Sequence, residues 1–317
     1  MEKQYYDISR RSFIASAGLI SAELIFGKSH LFAQTESPVT TIIREAGKAP
    51  IISNKLRGNI TILEGSGGNI LVFTGREGKM LVDAGISVSE QKIRKALAEI
   101  DDSPIRHLIN THWHFDHASG NAWLNKAGAV ITAHENTKKH LSSKVRVEDW
   151  NYTFPAAPKE ALPKIVFQKN HNLEFNKEKI LLAHYEHAHT DSDISVHFPH
   201  ADILHVADTW WNGYYPFIDY STGGGIKGMI AAAENNMKTA GEKTIIIPGH
   251  GPVGNKSQLS EYRDMLQDVT DKISKLKAAG QSMGDVVASK PTKAYDAKWG
   301  TFVISGDVFT TLIYKGL

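Results

Sequence analysis

Four side chains crowded into one short stretch, His112, His114, Asp116 and His117, carry most of the chemistry this sequence offers. On an extended segment alternate side chains point the same way, so His112 and His114 converge on one ion. Where the chain then bends toward a helix, Asp116 and His117 face a second ion. Imidazole and carboxylate groups suit Zn2+ and, less selectively, Fe or Mn. The 317 residues include 15 His and no Cys. Thiolate ligands and disulfides are therefore excluded, and any ion is held by His and carboxylate side chains. The competing reading is a His-rich surface turn, and the residues downstream weigh against it.

The elements that must position this cluster read clearly. Arg106 to Asn110 reads as a buried strand that ends at the cluster. Before it, Asn59 to Glu64, Ile70 to Thr74 and Lys79 to Val82 read as short strands separated by Gly-rich turns. Ser87 to Ile100 has helical periodicity, with Ile93, Leu97 and Ile100 on one face. After the cluster come a helix (121–127), a strand (129–132) and a helix (135–141). Strands follow at 179–184, 194–198 and 203–206, then a helix at 226–240, a strand at 244–247 and a helix at 257–279. Further helical turns are expected at 284–289 and 308–314. Two αβ halves whose sheets pack together, with helices outside, satisfy this order. Residues 144–163, with Trp150, Tyr152, Phe154 and three prolines, show no period. Such a stretch is either a lid over a site or a surface excursion packed by its own aromatics.

The chain is 41% hydrophobic and 22% charged, with a formal net charge of +2. That charge is too small for a nucleic-acid partner, and no later stretch has the ~20 apolar residues of a membrane anchor. The amino terminus differs from the rest. Ser9-Arg10-Arg11-Ser12-Phe13-Ile14 is a paired-arginine motif, Phe13 to Phe26 is weakly apolar, and Leu31-Phe32-Ala33 precedes a candidate cleavage point. This resembles a twin-arginine export signal over residues 1–33. The expected partner is the twin-arginine translocation machinery, and the expected destination is the bacterial periplasm or the exterior. That route carries folded proteins, so metals can be loaded before export. Residues 34–50 read as a polar linker, and 51–317 as the working domain.

The cluster has the form His-x-His-x-Asp-His, which resembles the hallmark of the metallo-β-lactamase superfamily. The resemblance runs from about Asn59 to Pro252. Leu81-Val82-Asp83-Ala84-Gly85 is similar to the family's first motif, and His189-Thr190 to its third. Asp208, after Ile203-Leu204-His205-Val206-Ala207, is similar to the carboxylate that bridges two metals. Pro248-Gly249-His250-Gly251-Pro252 is similar to the last motif. The third motif departs from the common Gly-His-Thr-Pro-Gly-Ser, reading Ala188-His189-Thr190-Asp191-Ser192-Asp193. His184 and His187 therefore compete with His189 for the ligand role.

The resemblance implies an αββα sandwich of two mixed sheets with helices on both outer faces. It implies two zinc ions, with Fe or Mn as alternatives. His112, His114 and His189 would hold the first; Asp116, His117 and His250 the second; Asp208 would bridge. Asp83 would fix a His ring through its second nitrogen. A hydroxide shared by two ions would be the nucleophile, with Asp116 orienting it and His250 and the second ion serving the leaving group. Trp210-Trp211-Asn212-Gly213-Tyr214-Tyr215-Pro216-Phe217 reads as pocket wall or core, with Tyr214 or Tyr215 a candidate donor to an oxyanion. Ser221 to Gly225 reads as a turn and helix cap, or as an anion site.

The function implied is hydrolysis of a small carboxyl derivative: an ester, thioester, lactone or lactam. Asp208 aligns the chain with glyoxalase II and lactonase-like members. The alternatives are an antibiotic β-lactamase, a mononuclear iron persulfide dioxygenase and a nonenzymatic binding protein. In wording the chain also resembles a group of exported bacterial metallo-hydrolases.

Overall fold

The structure, a computed structural model, describes residues 36–317; the expected export signal lies outside them. Ser37 and Pro38 start the first helix, α1 (Pro38–Lys48), where the Ser37 hydroxyl accepts from the Val39 amide and Pro38 fills a first-turn position. This corrects the expectation of a linker over 34–50. The polar Gln34–Ser37 run hid a Ser-Pro helix start, and Val39, Ile42, Ile43 and Ala46 give the helix its buried face.

The first sheet begins with β1 (Ile52–Lys55), β2 (Ile60–Glu64), β3 (Ile70–Gly75) and β4 (Gly78–Val82), joined antiparallel. Helix α2 (Glu90–Ile100) then crosses over to β5 (Ile105–Ile109), which pairs parallel to β4. A short turn of helix, α3 (Phe115–Ala118), and α4 (Asn121–Lys126) lead to β6 (Val130–His134), parallel to β5. After α5 (Glu135–Leu141) comes a small hairpin of β7 (Val145–Val147) and β8 (Tyr152–Phe154), inside the stretch without period. Strand β9 (Ile165–Phe167) closes a seven-stranded sheet of order β1-β2-β3-β4-β5-β6-β9.

The second sheet is five-stranded: β10 (Asn170–Phe175), β11 (Glu178–His184), β12 (Ile194–Phe198), β13 (Ile203–Trp211) and β14 (Ile245–His250), in that order. Its last pair is parallel, linked by α6 (Ile226–Thr239). Helix α7 (Lys256–Ala278) follows, with α8 (Met283–Ala288), α9 (Asp296–Trp299) and α10 (Gly306–Gly316) at the carboxy terminus.

Three apolar clusters account for the layering. Ile62, Leu71, Val82 and Ile109 of the first sheet meet Leu182, Val196, Phe198 and Ile247 of the second. Leu81, Leu108 and Ile131 turn the other way, onto Ile93 and Leu97 of α2 and Leu124 of α4. Leu204, Val206 and Ile246 turn outward beneath Met229 of α6 and Leu266 of α7. The architecture is therefore the expected αββα sandwich. Both faces of each central strand are covered, which is why β13 is buried at every residue. The strands missed from the sequence, β1, β7, β8, β9 and β10, carry exposed or half-exposed residues over most of their length. They lack the apolar runs that betray central strands.

Candidate metal centre

Parallel strands deliver their carboxyl ends to one edge of a sandwich, and polar groups placed there meet. Here β4 ends at Asp83, β5 leads into His112, β13 carries Asp208 and β14 ends at His250. His189 arrives on the turn between β11 and β12. The ligand atoms fall into three buried groups: His112, His114 and His189; His112, His117 and Asp208; Asp116, His117 and His250. The seven residues expected as ligands are thus brought together. His187 is exposed and bonds the Gly223 carbonyl, while His184 stacks on His134 at 3.8 Å. Neither joins the cluster.

Four of the five rings, those of His112, His114, His117 and His189, have one nitrogen tied down, which leaves the other with its lone pair facing the centre. His117 Nδ1 donates to Asp83 Oδ2 at 2.7 Å. His114 Nε2 donates to Asp219 Oδ2 at 3.0 Å, and His189 Nδ1 to the Phe217 carbonyl at 2.8 Å. The Thr111 hydroxyl gives its proton to Asp83 Oδ2 and so accepts from His112 Nδ1 at 3.1 Å. Asp219 and Thr111 were not singled out from the sequence, and Phe217 was read only for its ring, as part of the aromatic segment. Asp219 follows an aromatic run with no spacing pattern, and the Phe217 contribution is backbone, which no side-chain pattern reports.

The free atoms test whether cations fit. His112 Nε2, His117 Nε2, His250 Nε2 and Asp208 Oδ1 are buried without a hydrogen-bond partner. Such orphaned atoms are costly in a folded protein. His114 Nδ1 and His189 Nε2, both left as acceptors by the bonds just described, face each other at 2.9 Å. Asp208 stands between the two groups: Oδ1 is 3.0 Å from His117 Nε2, and Oδ2 is 3.4 Å from both His189 and His250 Nε2. Acceptors aimed at one another, with carboxylates interleaved, form a donor set for cations, so the residues fit a metal centre.

The electrostatics agree. Burial pushes the His112 imidazole well below its usual range, and it takes His189 down to about 4. Burial also opposes charge on His250, yet Asp208 and Asp116 outweigh it and hold the ring at about 9. The shifts therefore run in opposite directions on the two sides of the centre: His112 and His189 are pushed down by burial, while carboxylates hold His117 and His250 up.

Glycines allow the close packing behind these ligands. A Cβ on Gly68 would overlap the His117 ring, and one on Gly249 would overlap Asp208 Oδ1. Asn69 clamps the two loops together, its amide donating to the Gly249 carbonyl at 2.8 Å and its side chain to the Pro248 and Gly251 carbonyls at 2.9 Å.

Aromatic rings wall the centre. Trp150 lies 5.5 Å from the His114 ring and 4.6 Å from Phe217, so the stretch without period packs onto a metal-ligand candidate. Trp211 lies 4.4 Å from the His250 ring. Tyr214 is half-buried beside Phe302. Tyr215 must be corrected. It is fully buried and stacks on Phe309, and its hydroxyl donates toward Asp296 Oδ1 at 3.0 Å and the Thr292 carbonyl at 3.3 Å. Its proton secures the carboxy-terminal layer and is not available to an oxyanion. The Gly224 and Gly225 amides donate to the Asp219 and Ala188 carbonyls, so the Ser221–Gly225 segment is a turn and cap.

Residues 63–274 match the family described as the metallo-beta-lactamase superfamily. Over 218 residues, 63% of this chain and 73% of the relative, the chain is 26% identical to a metallo-beta-lactamase type 2 of Bacillus cereus. Among solved structures, DIM-1 metallo-beta-lactamase superposes with a TM-score of 0.56 at 20% identity, over 69% of this chain and 97% of that one. The sec-alkylsulfatase Pisa1 from Pseudomonas sp. gives 0.64 at 14% identity, over 92% of this chain and 54% of that one. The chain belongs to the metallo-beta-lactamase superfamily, as one of its hydrolases.

Proposed function

We propose that the protein is a dinuclear zinc hydrolase of a small carboxyl derivative, an ester, thioester, lactone or lactam, exported through the twin-arginine machinery to the periplasm. The observation that carries the dinuclear reading is the set of buried, unpartnered atoms on His112, His117, Asp208 and His250. Counted with His114, His189 and Asp116, they supply donors for more than one ion. When bound, two cations supply Lewis acidity, lowering the pKa of water and polarising the scissile carbonyl.

The chain's own residues do the rest. Asp83, Asp219 and the Phe217 carbonyl hold the rings in the tautomers that coordination requires. Asp208 keeps negative charge between the two halves. Asp116, with Oδ2 3.2 Å from His250 Nε2, lies at the rim, where its carboxylate can accept a proton from the attacking water and orient it. Trp150 and Trp211 exclude bulk water from the ligands on either side, which strengthens every charge interaction within.

Hydrolysis of β-lactams is the second reading, favoured by the Bacillus cereus relative. A persulfide dioxygenase would need only one iron, which leaves His117, His250 and Asp116 without a task. Chelator-stripped protein reloaded with none, one or two equivalents of zinc should be assayed on lactones, thioesters and β-lactams. Activity rising only with the second equivalent supports the reading. Full activity with one iron and none with zinc removes it.

A further inference from the structure

The family match ends at residue 274, yet the chain returns to the metal centre after that point. The loop between α9 and α10 carries Phe302, a large apolar side chain that is 37% exposed. Its ring lies 4.8 Å from Tyr214, 6.1 Å from Trp211 and 6.2 Å from the His250 imidazole. An exposed aromatic ring normally sheds area into the core. This one instead stays at the surface beside a metal-ligand candidate, continuing the aromatic row that runs from Trp211 through Tyr214. Burial and, after it, the nearby Glu64 carboxyl push the Tyr214 phenol up; burial raises the Glu64 carboxyl too, and its Oε2 accepts from the Asn54 amide at 2.6 Å. This side of the centre is therefore flat and apolar, with one carboxyl at its border.

We propose that Phe302 and Tyr214, backed by the buried Trp211, are the specificity wall of the centre, and that the substrate is a neutral carboxyl derivative bearing an aromatic or similarly flat apolar group beside the scissile bond. The inference rests on the metal-centre reading given above. Aromatic groups stack on such a wall in offset or edge-on geometry and leave water in doing so. A substrate carboxylate on the same side, such as β-lactam antibiotics carry, meets Glu64 and is disfavoured.

Hydroxamates test this without turnover, because they chelate the metals directly. Zinc-loaded protein should be titrated calorimetrically with acetohydroxamate, benzohydroxamate and 4-carboxybenzohydroxamate. Benzohydroxamate should bind roughly tenfold more tightly than acetohydroxamate, the scale set by burying one ring. In Phe302→Ala the ratio should fall to within about twofold, whereas Phe302→Trp should keep it. Zinc content and thermal midpoint of each variant establish that the centre and fold persist. The carboxylated probe should bind more weakly than benzohydroxamate, and Glu64→Gln should restore it. A ratio that survives Phe302→Ala overturns the wall, and equal affinity for the carboxylated probe overturns the preference for neutral substrates. If no hydroxamate binds the zinc-loaded protein, the metal-centre reading itself falls and takes the wall with it, a failure distinct from the other two.

Discussion

Asp83 and His117 form a fully buried pair, with Oδ2 2.7 Å from Nδ1, and the same carboxylate receives the amide and hydroxyl of Thr111. One side chain therefore orients a ring of the second metal group and the turn that precedes His112. Asp83 does this from a left-handed backbone, φ 67°, a conformation that Asp and Asn tolerate better than most residues. Asp83→Asn should keep the fold but cost ~10–100-fold in affinity for the second metal. Asp83→Ala should also destabilise the protein, because several buried donors lose their acceptor at ~1–3 kcal/mol each. Zinc titration and thermal unfolding of both variants check this. Wild-type affinity in Asp83→Asn would show that the carboxylate does not tune the ring.

A second prediction follows from the close approach behind the ligands. Gly68→Ala places a methyl group against the His117 ring, and Gly249→Ala places one against Asp208. Both should lose one of two zinc ions while circular dichroism stays near that of the parent, because the sheets bury their faces elsewhere. Retention of two tightly held ions in either variant contradicts the packing described.

Most of the centre was legible because its candidate ligands stand at or just beyond strand ends, where short motifs survive as contiguous text. His112 to His117 and Pro248 to Pro252 are of this kind. The sandwich was legible for a related reason: central strands such as β5, β12 and β13 carry apolar runs. Three features stayed hidden. Helix α1 begins with a polar turn, and its apolar face becomes informative only against the core it covers. Asp219 binds His114 from 105 residues away, and nothing local marks it. Tyr215 and Tyr214 are neighbours in sequence, yet one turns into the core and the other toward Phe302. Both lie in the turn that follows β13, where no strand alternation dictates which way each side chain points.

The stretch around β7 and β8 yields a third prediction. Trp150 is buried against Phe217 and His114, and Phe154 stacks on Phe115 at 5.6 Å. Both belong to the same apolar cluster as α6 and α7. Trp150→Ala should therefore cost both stability, ~3–5 kcal/mol for a buried aromatic, and activity, since the His114 ring loses its neighbour. Phe154→Ala, further from the ligands, should lose stability chiefly. Loss of activity without loss of stability in Trp150→Ala would instead identify a lid.

Export gives a fourth. Arg10→Lys with Arg11→Lys should leave the full-length chain in the cytoplasm, because the twin-arginine receptor reads both guanidinium groups. Fractionation followed by immunoblotting decides the matter. Mature double mutant in the periplasm would rule the signal out.

The last prediction concerns pH, and it uses the asymmetry between the halves of the centre. Coordination needs neutral imidazole. His189, at about 4, already has its lone pair free at neutral pH, and His112 lies well below its usual range for the same reason, burial. Binding at that position releases few protons from these rings. His250 is held at about 9 and His117 well above its usual range, each by carboxylates that outweigh burial. Below about pH 9 an ion entering that position must displace the His250 proton, and the shift of His117 acts in the same direction. Its affinity therefore rises with pH and weakens as pH falls, by about tenfold per pH unit for each proton displaced. Zinc affinities measured by chelator competition from pH 6 to 8.5 should show a steep slope for the weaker ion and a shallow one for the tighter. Asp208→Asn removes one carboxylate that sustains those protons, and it also removes charge from between the metals. It should flatten the steep slope while lowering zinc content toward one ion per chain, and hydrolysis should fall by ~10²-fold or more, because a shared nucleophile needs both ions. Equal slopes in the parent protein, or two tight ions in Asp208→Asn, would separate Asp208 from the role its position between the two groups assigns it.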